Sequence, residues 1–257
     1  MINLLRVNLY RMRKDILLYV CLAVTVLMVF TSVATFKLLG MLTGVELESF
    51  GMVASGKVLL LNTLSPMNNM GVLIPILMIL MHAKDYSNGT IRNKIICGYN
   101  RTSVFMASWV SALLFGAVML LLNMLGSLGM GCLVFGYGEP FDIKEMGELV
   151  TIIILGLLVY EVFITIAHLF MHIMKVYGCV MYMVVSILLL GISSVGSMVQ
   201  DNKFMTFLLD CNPLTQMEYL INGTWQDKVG LMVGSTLFYY VVLSAIGIYY
   251  MKKKDLK

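Results

Sequence analysis

The sequence predicts an all-α membrane protein with six transmembrane helices, and three observations carry that prediction. Hydrophobic residues make up 60% of the 257 positions and charged residues only 12%, where an ordinary soluble domain carries about a quarter charged. The mean hydropathy is +0.89. The few charges gather between apolar runs of roughly bilayer length, as an integral membrane chain requires.

The chain opens on an amphipathic segment. Over residues 1–15, Ile2, Leu5, Leu9 and Met12 share one helical face, while Arg6, Arg11, Arg13 and Lys14 fill most of the rest. That pattern predicts an interfacial helix on an anionic lipid surface. The first span follows, 16–36, covering roughly 31 Å at ~1.5 Å per residue. A secretory signal starts in the same way, and Ser32-Val33-Ala34 is a passable cleavage site. The length of the apolar run favours an uncleaved span.

Residues 37–66 read as a loop with Glu46, Glu48 and Lys57. Gly51 to Lys57 nearly matches a phosphate-binding P-loop, but Val58 stands where a Ser or Thr belongs and no strand–loop–helix context surrounds it. The second span is 67–83, interrupted by Pro75, which a membrane bundle tolerates.

Lys84 to Ser103 is polar and basic, with Lys84, Arg92, Lys94 and Arg101 against the single acid Asp85. Ser87, Asn88 and Gly89 are turn and cap types, Ile91, Ile95 and Tyr99 recur at four-residue spacing, and Gly98 suits a left-handed helix end. The expectation is one short amphipathic helix, about 88–97, suited to docking on another protein.

The third span, 104–135, is too long for one straight crossing. Gly126, Gly129, Gly131 and Asn123 near its far end leave a tilted or broken helix and close glycine contacts equally open. An acidic, turn-rich loop at 136–148 precedes the fourth span, 149–171. A short connection, 172–176, leads to the fifth, 177–199. Between 200 and 228 lie stretches too apolar for a free loop and too short to cross, 204–209 and 217–221, on either side of Asn212-Pro213-Leu214. Re-entrant or interfacial helices broken at Pro213 suit them. The sixth span, 229–250, ends at Tyr249, Tyr250 and three lysines, an aromatic and basic anchor.

Thirteen of the eighteen Lys and Arg residues fall on the side that holds both termini. The positive-inside rule places that side in the cytoplasm. Ten of the fourteen acids fall opposite. The five cysteines, Cys21, Cys97, Cys132, Cys179 and Cys211, form no CxxC, which argues against a metal site or a disulfide framework. Cys132–Cys211 is the one pairing this layout allows. No internal repeat and no soluble domain large enough for chemistry is visible.

Glu161 is the only acid inside a span. A charge there costs roughly 2.5–3.5 kcal/mol on insertion scales, so it is a functional candidate. Thr165, His168 and His172 follow at i+4, i+7 and i+11, a polar stripe toward the cytoplasm. It can serve as a proton relay or substrate contact, or as a hydrogen-bonded brace between helices. Too few ligands accompany it for a metal, and HExxH is absent.

Laid on this topology, the basic segment resembles that of type-2 ABC exporter permeases. It reads Asp85-Tyr86-Ser87-Asn88-Gly89-Thr90-Ile91-Arg92, then Gly98 and Arg101 before the third span. The order of elements is similar along nearly the whole chain, although only Asp85 remains where that family carries further acids. The resemblance implies that Asp85, Gly89, Thr90, Ile91, Arg92, Lys94, Ile95, Tyr99 and Arg101 form a coupling helix docking on a separate cytoplasmic ATPase. It implies an N-terminal elbow helix, a second permease copy or paralogue, and an outer gate around Asn212, Pro213 and Leu214. ATP and Mg would be held by the ATPase, leaving this chain no cofactor and no catalytic residue of its own. The substrate class implied is a peptide, drug or lipid, antimicrobial peptides included, moved across a bacterial plasma membrane. Nucleic acid is not an expected partner. A secondary transporter using Glu161 is the alternative.

Overall fold

The structure, a computed structural model, describes residues 1–43, 55–65, 70–138, 142–196 and 203–253, and these are helical with no strand among them. Four helical stretches are long and apolar enough to cross a membrane: Ile16–Leu38, Arg101–Phe135, Ile143–Ser194 and Gln226–Lys253. That number of apolar helices is what a multi-pass membrane protein needs. Most of the P-loop-like stretch, Glu46 and Glu48 lie outside the described residues.

Helix α1 (Ile2–Lys14) leads into α2 (Ile16–Thr43) through Asp15, whose backbone is extended. The face of α1 that is buried is Leu4, Asn8 and Met12, packed on the bundle. Ile2, expected on the apolar face, is 70% exposed. Asn8 explains the difference, because its side chain accepts a hydrogen bond from Lys94 Nζ at 2.7 Å. A polar position was buried through a partner far along the chain.

The expected loop before the second span holds a helix instead, α3 (Gly56–Thr63), whose N-cap Ser55 accepts from the Val58 amide at 3.2 Å. It lies on α6 (Arg101–Phe135) at a point where both helices carry glycine. A Cβ on Gly131 would stand 2.8 Å from Gly56 Cα, and one on Gly56 only 2.4 Å from Cys132 Sγ. Close glycine contact is therefore the outcome for this end of α6, which is one continuous helix of 35 residues. At ~1.5 Å per residue it measures roughly 52 Å, well beyond the ~30 Å of a hydrocarbon core. Cys132 and Cys211 are free thiols.

Helix α4 (Met70–Ser87) contains Pro75 and runs four residues past the expected span, taking in Lys84 and Asp85. After it comes α5 (Thr90–Ile96), a seven-residue helix. Its N-cap is Gly89 at φ 64°, and neither Ser87 nor Asn88 caps it. Gly98, at φ 89°, takes the left-handed conformation expected of it.

The acidic segment before the fourth span turns helical early. Asp142 caps α7 (Ile143–Met174) by accepting from the Ile143 amide at 2.7 Å. A 3₁₀ turn, Lys175–Tyr177, then joins α7 to α8 (Gly178–Gly196), which packs along it. Beyond it, α9 (Lys203–Asp210) and α10 (Pro213–Ile221) break at Pro213 as expected, and α11 (Val229–Lys253) closes the bundle.

The main core gathers around α4, α6 and α7, with Ile74, Met78, Met119, Met124, Val159 and Ile164 fully buried. Methionine is core filler here, its flexible thioether fitting irregular gaps. A second cluster sits at the α5 end: Leu4, Ile91, Val104, Phe105, Ala107 and Met251. It unites α1, α5, α6 and α11, with Gly247 of α11 pressed on the Phe105 ring.

Candidate functional site

Two features meet at the α5 end of the bundle, and the first is α5 itself. Ile91 is 4% exposed and Ile95 half-buried, both turned into the second cluster. The stripe that the sequence offers for docking is thus spent inside this chain. Arg92, Asn93, Ile96 (71% exposed), Cys97 and Tyr99 form the outward face, and Thr90 at the first turn is half-buried.

The charged residues around α5 tie it to its neighbours. Asp85, buried at the end of α4, pairs with Arg11 of α1, and Lys94 Nζ lies 4.0 Å away. Burial pulls the Lys94 ammonium below its usual range while Asp85 pulls it back up. Lys84 Nζ reaches Asp15 at 2.9 Å. Burial raises the Asp15 carboxyl, but the hydrogen bonds from Lys84 and the Leu17 amide outweigh it and hold it below its ordinary value. Arg101 donates to the carbonyls of Met251 and Lys252 at 3.3 and 3.0 Å. It thereby satisfies acceptors that the end of α11 leaves open.

The second feature is the polar stripe on α7, which the structure brings together in part. Thr165 Oγ1 donates to the Glu161 carbonyl at 2.8 Å and accepts from Trp109 Nε1 at 3.2 Å. His168 Nε2 lies 3.1 Å from Ser108 Oγ and 3.1 Å from His172 Nε2. The Tyr86 hydroxyl meets His172 Nδ1. Phe105 covers both imidazoles, with centroids 5.1 and 4.9 Å away. His82 of α4 stands 6.5 Å from the His168 ring and bonds to the Met78 carbonyl and Ser111.

Glu161 is different. It is 8% exposed, and neither carboxyl oxygen has a hydrogen-bond partner. Gly116 makes room for it, since a Cβ there would stand 3.0 Å from Oε1. His168 Nδ1 is likewise buried without a partner. Among the described residues no three His, Cys, Asp or Glu side chains are placed to hold a metal ion.

At the opposite end, Asn212 caps α10 by accepting from the Leu214 amide at 3.1 Å and donates to the Leu189 carbonyl at 3.1 Å. Pro213 and Leu214 are buried behind it. Lys228 pairs with Asp210 at 2.9 Å and stacks over Tyr219 at 3.8 Å. These contacts hold α9, α10 and α11 as one cap.

Tyr86, Ser108, Trp109 and Gly116 belong to the site and carry no local sequence signal. Each matters through a partner more than forty positions away, such as the 86 residues separating Tyr86 from His172.

A helical membrane bundle with a short basic helix at one end and a buried acid at its centre is the class that fold and site define. Residues 47–257 match the family described as "Protein of unknown function (DUF2705)", and the chain belongs to that family. No curated protein and no solved structure matches it.

Proposed function

We propose that this chain is the membrane-spanning permease subunit of an ATP-driven type-2 ABC exporter. The observation that carries the reading is α5: a helix with a basic, partly apolar outer face, tied by Lys94 and a buried cluster to α1, α4, α6 and α11. In this reading α2, α4, α6, α7, α8 and α11 are the six spans, and α1 is the elbow on the inner membrane surface. Both termini and α5 face the cytoplasm, where the lysines and arginines gather. Helices α9 and α10 are the outer re-entrant pair, with Asn212, Pro213 and Leu214 at the gate.

A separate cytoplasmic ATPase holds ATP and Mg and grips Arg92, Ile96 and Tyr99. Its closure tilts α5, and Asp85, Lys94 and Arg101 carry the movement into the spans. A second permease copy or paralogue completes the transporter, and the cargo class is a peptide, drug or lipid.

The test is a double variant, Arg92→Glu with Ile96→Asp. Both side chains lie on the outer face, so the protein should insert and fold as wild type yet lose its ATPase on affinity purification. Wild-type recovery of the ATPase would refute docking through α5. The unpaired Glu161 favours a second reading, an ion- or proton-coupled carrier; gradient-driven transport by the purified chain alone would establish it.

A further inference from the structure

We infer that Glu161 is a buried, exchangeable proton-binding site, loaded from the α5 end through the row Tyr86, His172 and His168. The inference stands whether ATP or an ion gradient drives the protein, because it concerns groups inside this chain.

The starting point is the unpartnered carboxyl. Among the described residues neither Glu161 oxygen has a hydrogen-bond donor, and a bare charge so placed is strongly disfavoured. The group that satisfies it most simply is a proton. Tyr160 and Tyr240 are its ionisable neighbours.

The row that reaches toward it, Tyr86 to His172 to His168, can carry protons in either direction. A contact between two Nε2 atoms requires one ring to donate and the other to accept. With the Tyr86 hydroxyl donating to His172 Nδ1, His172 carries its own proton on Nε2 and gives it to His168 Nε2. His168 then holds its proton on Nδ1, the atom that has no partner. Its side chain leans toward the start of α7, over the turn of Thr165 and on the Glu161 side.

The transfer balances. A proton arriving at Tyr86 O displaces the hydroxyl proton onto His172 Nδ1. His172 releases its Nε2 proton to His168, which releases its Nδ1 proton to the Glu161 carboxylate. One proton enters, one is bound, and both imidazoles end neutral with their tautomers inverted. Reversing the steps returns the proton. The remaining gap above His168 is two helical turns of α7, roughly 10 Å of rise, and since both groups ride on the same helix a pair of waters must bridge it.

Charged and titratable groups facing the row come from every helix around it: His82 and Asp85 of α4, Arg11 of α1, Lys94 of α5 and Tyr250 of α11. Arg11, Asp85 and Lys94 form a cluster of their own, and Tyr86 follows Asp85 directly in α4, so the row starts beside a charged cluster at the α5 end.

The experiment is infrared spectroscopy of the full chain in lipid nanodiscs, in H₂O and after transfer to D₂O. The wild type should show a protonated-carboxyl C=O stretch that moves down in D₂O and is missing from Glu161→Gln. In His172→Phe the band should remain and its D₂O shift should slow by roughly 10²-fold, the scale on which a positioned proton donor acts. If Glu161→Gln does not fold, Glu161→Asp should displace the band. Absence of any such band in the wild type would overturn the site. An unchanged exchange rate in His172→Phe would overturn the row as its path.

Discussion

Glu145 shows what a single side chain does at the end of the bundle opposite α5. It accepts from the Tyr137 hydroxyl at 3.0 Å and pairs with Lys57 Nζ at 2.6 Å, joining α7 to α3. The hydrogen bond from Lys57 holds its carboxyl below the usual glutamate range, with burial opposing and Tyr137 assisting. A depressed folded value means the contribution is complete above the unfolded value, ~4.3, and is lost as pH falls through the folded one. Thermal unfolding in detergent should therefore show the wild type losing stability on acidification below that range. Glu145→Gln should be less stable at neutral pH by up to about 1 kcal/mol, as partly exposed pairs are, and should lack this component of the acid response. Equal acid responses in the two proteins would mean the pair contributes nothing. The same scale explains the errors in reading the sequence. Ile91, Ile95 and Tyr99 mark an apolar stripe correctly, but spacing alone does not say whether a stripe faces its own bundle or a partner. Asn8 was invisible because a polar residue is buried only when something distant, here Lys94, satisfies it.

Among the elements, α5, α9, α10 and the long spans were legible because their signals are local: periodicity, Gly98, and Pro213 behind its Asn212 cap. Helix α3 and the early start of α7 were not legible. Ser55 and Asp142 are good caps, but each stands in a stretch whose polarity also fits a loop. What commits them to helix is tertiary. Helix α3 is held where Gly56 and Gly131 meet, and that contact joins chain positions far apart. Gly131→Val should destabilise by about 1–3 kcal/mol through overpacking, since its Cβ must enter Leu59 and the Gly56 backbone. Gly129→Ala, two residues away, meets nothing within 4 Å and should be near neutral. Comparable losses in both variants, measured by thermal unfolding, would show that α6 tolerates no side chains here for reasons other than this contact.

For the whole molecule, composition and the gathering of charges between apolar runs carried the membrane assignment, and the position of Glu161 within an apolar run carried the candidate site. Its surroundings could not be read: Trp109, Ser108 and Tyr86 reach the α7 stripe from other helices. The polar row and the α5 cluster share Tyr86, Phe105 and Met251, since Tyr86 touches both His172 and Met251 while Phe105 packs on both imidazoles. On the proposed reading, a tilt of α5 strains the row and couples the two features. On the same reading a partner drives this movement from outside the chain. The direct measurement is affinity purification of the tagged wild-type protein from its native membrane in mild detergent, with bound proteins identified and quantified. The permease account predicts a soluble ATPase in stoichiometric amount. A stable chain recovered alone, still able to transport on an imposed proton gradient, would contradict it.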